Sequence, residues 1–163
     1  MKVKITGITK ESVVDGPGIR YVIFSQGCKH NCKGCHNPST HSFNNGEEIN
    51  VDEIINNILN SKHIDGVTFS GGDPFYQPKE FAYIAKALHK NNINILSYTG
   101  FTYEKIVNDK NMKDLLENID VLVDGPFVEK EKNLKLSFRG SNNQRIIDVK
   151  ESLKNSKVIT LNI

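Results

Sequence analysis

The stretch Cys28-Lys29-His30-Asn31-Cys32-Lys33-Gly34-Cys35 constrains this chain more than any other, because it gathers every cysteine of the 163 residues into eight positions. A fold that uses it must bring three thiols together. Thiolates are soft ligands suited to zinc or iron-sulfur iron, and a 4Fe-4S cube takes one ligand per iron, so three cysteines leave one iron open to another ligand. The spacing, three residues and then two, differs from the ferredoxin run of two and two with a fourth cysteine in reach. No fourth cysteine exists in the sequence, which argues against an electron-transfer ferredoxin. The alternative is a Cys3His zinc site with His30, His36 or His41 as fourth ligand, although such sites usually split their ligands into two separated pairs. An odd cysteine count without a signal segment argues against disulfides.

The length fits one domain, 1–163, able to bury about 70 % of its unfolded surface around one core. With 21 Lys and Arg against 19 Asp and Glu the chain is near neutral, which points away from nucleic acid or anionic lipid as the main ligand. Its longest apolar runs are four or five residues, far short of the roughly 20 that a membrane span needs. The charged opening Met1-Lys2-Val3-Lys4 leads into no apolar signal segment, so the expected location is the cytoplasm.

Taken in order, Val3 to Ile8 alternate as an edge strand, followed by the turn Asp15-Gly16-Pro17-Gly18. Tyr21 to Phe24 read as a short buried strand that delivers Cys28 at its C-terminal end. The loop from Gln26 to Asn37 is too rich in Gly, Asn, His and Lys for regular structure, and metal binding is expected to order it. Asn50 with Glu53 is a capping-box pattern opening a helix whose apolar face is Val51, Ile54, Ile55, Ile58 and Leu59. Gly66 to Ser70 form a strand running into Gly71-Gly72-Asp73-Pro74. Two glycines there are either a turn or a bare backbone against which a ligand packs, its N–H and C=O groups free to bind a bound amino acid.

Pro78 starts a second helix, with Phe81, Ile84, Ala85 and Leu88 at helical spacing. Asn92 to Tyr98 is a third strand, Tyr103 to Val107 and Met112 to Leu116 are helical, and Asp120 to Asp124 is a fourth strand. Strand and helix in alternation predict a parallel sheet with right-handed crossovers. The charged segment Glu129 to Lys135 reads as a solvated loop. The segment Arg139 to Arg145 is a structured turn at minimum, with a contact to a cofactor carboxylate or a partner protein left open. The tail Val158 to Leu161 reads as one last strand. The fold expected is α/β, a partial, open TIM-like (βα) barrel of four to six parallel strands, since a closed (β/α)8 barrel takes about 250 residues.

The cysteine run followed by Gly71-Gly72-Asp73-Pro74 resembles the radical S-adenosylmethionine (SAM) enzymes. Val14-Asp15-Gly16-Pro17-Gly18-Ile19-Arg20, Gln26-Gly27-Cys28 and Cys35-His36-Asn37-Pro38 are similar to the branch that activates glycyl-radical enzymes. Ser97-Tyr98-Thr99-Gly100, Val121-Leu122-Val123-Asp124-Gly125 and Arg139-Gly140-Ser141-Asn142-Asn143-Gln144 narrow the resemblance to the activases of anaerobic ribonucleoside-triphosphate reductase, from about residue 7 to about residue 148. The resemblance implies that Cys28, Cys32 and Cys35 hold a 4Fe-4S cluster whose open iron is chelated by the methionine end of SAM. It implies reductive cleavage to a 5'-deoxyadenosyl radical that takes a hydrogen atom from a glycine of the reductase. It places Gly34, Cys35 and His36 beside SAM, Gly71, Gly72 and Asp73 on its methionine moiety, and Tyr98 and Thr99 nearby. A low-potential donor of the flavodoxin or ferredoxin kind is implied as electron source. Two alternatives remain: the activase of another glycyl-radical enzyme such as pyruvate formate-lyase, disfavoured by the short length and by Asp73 where those relatives usually carry Glu, and a non-catalytic zinc or iron-sulfur module.

Overall fold

The computed structural model describes residues 1–35 and 38–163; His36, expected beside SAM, and Asn37 lie outside the described residues. Seven strands, β1 (Lys2–Ser12), β2 (Arg20–Ser25), β3 (Glu47–Asn50), β4 (Gly66–Gly71), β5 (Ile95–Tyr98), β6 (Val121–Asp124) and β7 (Arg145–Asp148), form one sheet in the order β3-β1-β2-β4-β5-β6-β7. Helices α1 (Val51–Leu59), α2 (Pro78–His89), α3 (Tyr103–Ile106), α4 (Lys110–Leu116) and α5 (Val149–Asn155) connect or follow them. The four strands β2, β4, β5 and β6 are parallel neighbours in chain order, as the alternating pattern predicts. The rest of the sheet is antiparallel, so it is mixed rather than all parallel.

The length of one connection and the lack of a crossover helix in the other explain the antiparallel turns at β1–β2 and β6–β7. Parallel neighbours need a crossover of a dozen or more residues, usually a helix. Residues 13–19 between β1 and β2 are too few, and the chain turns back antiparallel. Between β6 and β7 the chain carries only a single 3-10 turn, Glu129–Glu131, and again returns antiparallel. β1 is not the edge strand expected; β3 covers it, with Val3 opposite Ile49 and Ile5 opposite Glu47.

The two faces of the sheet divide the core. Strand side chains alternate between faces, so Tyr21, Ile23, Val67, Phe69, Ile95, Leu122 and Ile147 share one cluster with Ile54 and Ile58 of α1, Phe81, Ile84 and Leu88 of α2, and Leu115 and Leu116 of α4. Fully buried rings such as Phe69 and Phe81, 4.9 Å apart between centroids, each contribute about 1.5–3 kcal/mol over an exposed position. On the other face Leu96, Val123 and Ile146 form a smaller cluster with Tyr98, Val121 and Leu161 packed against it.

Local signals account for the helix starts. Asn50 caps α1, its side chain accepting from Asp52 N at 2.9 Å. Leu59, expected on the apolar face, is 42 % exposed in the last turn. In place of a full tail strand there is one bridge, between Ile147 and Thr160.

Candidate functional site

The C-terminal ends of the four parallel strands carry the motifs. β2 runs into Gln26-Gly27-Cys28, β4 into Gly71-Gly72-Asp73, β5 into Tyr98-Thr99-Gly100 and β6 into Gly125. There Cys28, Cys32 and Cys35 line one cavity of about 120 Å³ with His30, His41, Gly72, Tyr98, Thr99, Gly100 and Gly125. The mouth of an α/β sheet at its carboxyl ends is where such folds hold ligands.

The cysteine loop is stitched to the sheet. Gly27 N donates to Thr40 O at 2.7 Å and Cys28 N to His41 O at 3.0 Å. Gln26 Nε2 reaches Ser42 O at 2.5 Å, and its Oε1 accepts from Thr6 Oγ1. From the other side Gly72 N donates to Ser25 O at 2.8 Å and Asp73 N to Gly27 O at 3.0 Å. These two N–H groups, expected to be open for a bound amino acid, are therefore committed to backbone. A Cβ on Gly72 would stand 2.6 Å from Gly27 O and 2.7 Å from Thr40 O, and one on Gly71, at φ +95°, 2.4 Å from Ser25 N. Glycine is required here because the strand end and the cysteine loop cross at backbone contact.

Asp73 is wholly buried and spends both carboxylate oxygens inside the protein. Its Oδ2 takes His30 Nε2 at 2.6 Å, Thr99 Oγ1 at 3.0 Å and Gly100 N at 2.9 Å. Its Oδ1 accepts from Phe75 N at 2.9 Å and caps the 3-10 turn Pro74–Tyr76. Asp73 thus ties the cysteine loop to the ends of β4 and β5. Thr99 is likewise engaged, donating to Asp73 and accepting from Phe101 N at 3.1 Å. His30 packs edge-on against Phe101, 4.5 Å between centroids, and beside Tyr76. The contact of Nε2 with Asp73 fixes the orientation of the His30 ring at the wall of the cysteine cavity.

The donor set fits an iron-sulfur cluster. Three thiols face one cavity, and burial pushes the Cys28 thiol up to about 11, with Asp73, Cys32 and Cys35 adding to the rise and the backbone at His30 opposing it. A thiol so placed becomes a thiolate only when a cation takes the charge. Among the described residues no three His, Cys, Asp or Glu side chains are gathered as around a single metal ion; a cube, with one thiolate per iron, does not require that.

A second cavity of about 380 Å³ shares Cys35, Tyr98, Phe127 and Gln144 with the first. Asp15, Ser70, Gly71, Phe138 and Arg139 complete much of its wall. Phe138 sits at φ +61°, a conformation bulky residues rarely adopt. Burial pushes the Tyr98 phenol up. Gly34, at φ +78°, lies on the exposed side of the loop near Phe127.

Sequence reasoning left the Arg139 to Arg145 segment open, and the two arginines separate. Arg145 pairs with Asp124 (Nη2 to Oδ2 2.5 Å, Nε to Oδ1 3.0 Å) and with Glu104 (2.7 Å), which hold its guanidinium above its ordinary pKa. Arg139 Nη1 donates to Gln144 O at 2.6 Å while lining the larger cavity. Gln144 organises the turn, its Oε1 accepting from Gly140 N and Ser141 N and its Nε2 donating to Gly125 O. Among the cavity residues not named as site residues from sequence are Phe127, Phe138 and Gln144. Aromatic and amide residues in a polar turn carry no spacing signal that marks a wall.

Comparison with known proteins gives the family. A model of the 4Fe-4S single cluster domain family matches residues 14–147. The anaerobic ribonucleoside-triphosphate reductase-activating protein of Vibrio cholerae is 36 % identical over 143 residues, 82 % of this chain and 90 % of that protein. The protein of that name from Enterobacteria phage T4 is 35 % identical over 82 % of this chain and 86 % of its own length. The pyruvate formate-lyase-activating enzyme of Staphylococcus epidermidis is 31 % identical over 96 % of this chain but 65 % of its own. The chain therefore belongs to the 4Fe-4S single cluster domain family and to the family of anaerobic ribonucleoside-triphosphate reductase-activating proteins.

Proposed function

We propose that the chain is a radical SAM activase, one domain over residues 1–163 with the sheet as an open, partial TIM-like barrel, which generates the glycyl radical of an anaerobic ribonucleoside-triphosphate reductase. The observation that carries this reading is the convergence of all three cysteines on one cavity at the carboxyl ends of four parallel strands. Cys28, Cys32 and Cys35 are the cluster ligands. When bound, the cluster supplies the low-potential electron that cleaves SAM to methionine and a 5'-deoxyadenosyl radical, which takes a hydrogen atom from a glycine of the reductase.

The chain's own residues bind, orient and shield. Cys28 gives up its proton as it ligates, helped by the loss of the burial penalty once its charge is shared. Gly71 and Gly72 let the strand end and the cysteine loop cross at backbone contact beside the corner where the methionine end lies, and Asp73 with Thr99 holds that corner's shape. Gly34 and His36 flank SAM on the cysteine side. The nucleoside half occupies the larger cavity, whose volume of about 380 Å³ suits a small ligand. There Tyr98, Phe127 and Phe138 offer ring faces to a purine, and Asp15 offers a carboxylate to ribose hydroxyls.

The reductase itself excludes water by presenting its glycine loop across the open strand ends. A cytoplasmic flavodoxin or ferredoxin supplies the electron. The test is anaerobic reconstitution with iron and sulfide counts, then reduction with SAM and the cognate anaerobic reductase. One deoxyadenosine per glycyl radical, seen as an electron paramagnetic resonance doublet, is the expected result. A doublet on pyruvate formate-lyase but none on the anaerobic reductase would overturn the choice of partner while leaving the radical chemistry standing.

A further inference from the structure

His41 holds both ends of the cysteine loop. Its carbonyl accepts from Cys28 N at 3.0 Å, and its own N–H donates to Pro38 O at 3.2 Å, so its backbone is fixed on two sides. Its ring, half-buried in the wall of the cysteine cavity, brings Nε2 to 3.3 Å from Cys35 Sγ. A ligating cysteine is a thiolate, which accepts hydrogen bonds and donates none, so the nitrogen facing it must carry the proton.

Resting on the reading of Cys28, Cys32 and Cys35 as cluster ligands, we propose that His41 is a positioning residue that donates Nε2–H to the Cys35 thiolate and thereby sets the cluster's reduction potential. Hydrogen bonds to the sulfurs are one of the protein's levers on an iron-sulfur potential, because they withdraw charge from the ligand and favour the reduced, more negative state. A charge-assisted N–H···S contact inside a half-buried cavity acts with little screening from water. His41 therefore offsets part of what makes this site costly for added negative charge: the buried Cys28 and the nearby Asp73 carboxylate. Its backbone bond to Cys28 and side-chain bond to Cys35 also fix the separation of the first and third ligands, so the donor moves with the ligand it serves.

The test uses the reconstituted full chain. Iron and sulfide are counted first; wild-type protein that assembles no cluster overturns both the ligand reading and this proposal, whereas a normal cluster with an unmoved potential sinks this proposal alone. In His41→Phe, which keeps a planar ring but no donor, a redox titration is expected to show full cluster content and a more negative midpoint potential. His41→Gln, which restores an N–H, is expected to recover most of the shift; a merely space-filling role would not distinguish Phe from Gln in this way. A readout needing no variant is pulsed electron paramagnetic resonance of the reduced wild-type cluster labelled with ¹⁵N-histidine. A weak nitrogen coupling with an exchangeable proton is expected. A strong coupling, the mark of nitrogen bound directly to iron, or an unchanged potential in His41→Phe overturns the assignment.

Discussion

Replacing Asp73 with Asn separates a structural hub from a cofactor ligand. Four donors converge on the carboxylate: His30 Nε2, Thr99 Oγ1 and Gly100 N on Oδ2, and Phe75 N on Oδ1. An asparagine of the same shape has one acceptor oxygen. Its best placement turns that oxygen toward the three-donor side and leaves an NH₂ facing the Phe75 N–H. A buried donor without a partner costs about 1–3 kcal/mol, and the three remaining bonds lose their charge assistance, a net loss of about 1 kcal/mol more once relief of the buried charge is counted. The expected destabilisation is about 2–4 kcal/mol, which in a chain of this size lowers Tm by roughly 4–16 °C. Thermal unfolding of the apo-protein under anaerobic conditions, followed by circular dichroism, measures it, and the reconstituted variant should retain less iron because His30 loses its anchor. Should Asp73→Asn unfold within about 0.5 kcal/mol of wild type while SAM binding collapses, the carboxylate is a cofactor ligand and the hub argument is wrong.

Changing any one of Cys28, Cys32 or Cys35 to Ala should abolish SAM cleavage and lower bound iron and sulfide, since two thiolates cannot hold a cube with one defined open iron; full activity in any of the three would end the cluster reading. Gly72→Val should cost at least about 1–3 kcal/mol and lose the cluster together with stability, because the new Cβ meets the backbone of Gly27 and Thr40, which anchors Cys28. An intact cluster spectrum with weakened SAM binding would show that the space belongs to the ligand instead. Arg145→Met should cost about 3–5 kcal/mol in urea unfolding by leaving the Asp124 carboxylate, 1 % exposed, with Tyr103 N at 2.7 Å as that side chain's one remaining hydrogen-bond partner among the described residues. The hydrogen bond from Arg145 holds the Glu104 carboxyl below its ordinary 4.5. That contribution is present above this value and lost as pH falls through the lowered folded one, so Glu104→Gln should flatten the acid limb of the stability curve. For the apo-protein, the raised Cys28 thiol means stability falls as pH climbs from about 9 toward about 11, and a Cys28→Ser chain that shows the same alkaline loss would remove Cys28 as its cause.

The elements that position the site were legible because each is written locally. β2, β4, β5 and β6 are short β-branched or apolar runs that lead into Gly27-Cys28, Gly71-Gly72, Thr99-Gly100 and Gly125, and α1 and α2 carry their apolar faces in sequence. The three antiparallel additions follow other rules. β3, Glu-Glu-Ile-Asn, has one apolar residue and exists because β1 offers it a partner register. β7 hides behind the polar turn that precedes it, and its pairing with β6 is fixed by Asp124 opposite Arg145, whose ion pair is not visible until the two strands lie side by side. At the site, the three cysteines and their open geometry could be read from spacing. The work of Asp73 could not, since its partners stand 43, 26 and 27 positions away in the chain. The pair Gly71-Gly72 reads from sequence as room for a ligand, whereas much of that room is taken by the crossing backbone of Ser25, Gly27 and Thr40.

That crossing bears on how the site is made. A loop of Gly, Asn, His and Lys has no helix or sheet to order it, and fixing each residue costs roughly 1–2 kcal/mol, so composition alone assigns the ordering to the metal. The fold already fixes the loop at three points: Gly27 and Cys28 on the carbonyls of Thr40 and His41, His30 on Asp73, and Cys35 on His41. The first two points lie beside the ends of β2, β4 and β5, whose positions are set by the core under α1, α2 and α4. These bonds give folding a share in ordering the loop beside cluster binding, unlike a zinc finger, whose fold and metal site appear together. The binding energy of the cluster is left free to do something else: to hold Cys28 ionised at a position where burial and the Asp73 carboxylate both oppose the charge. A site with that division of labour is expected to lose and regain its cluster without losing the sheet.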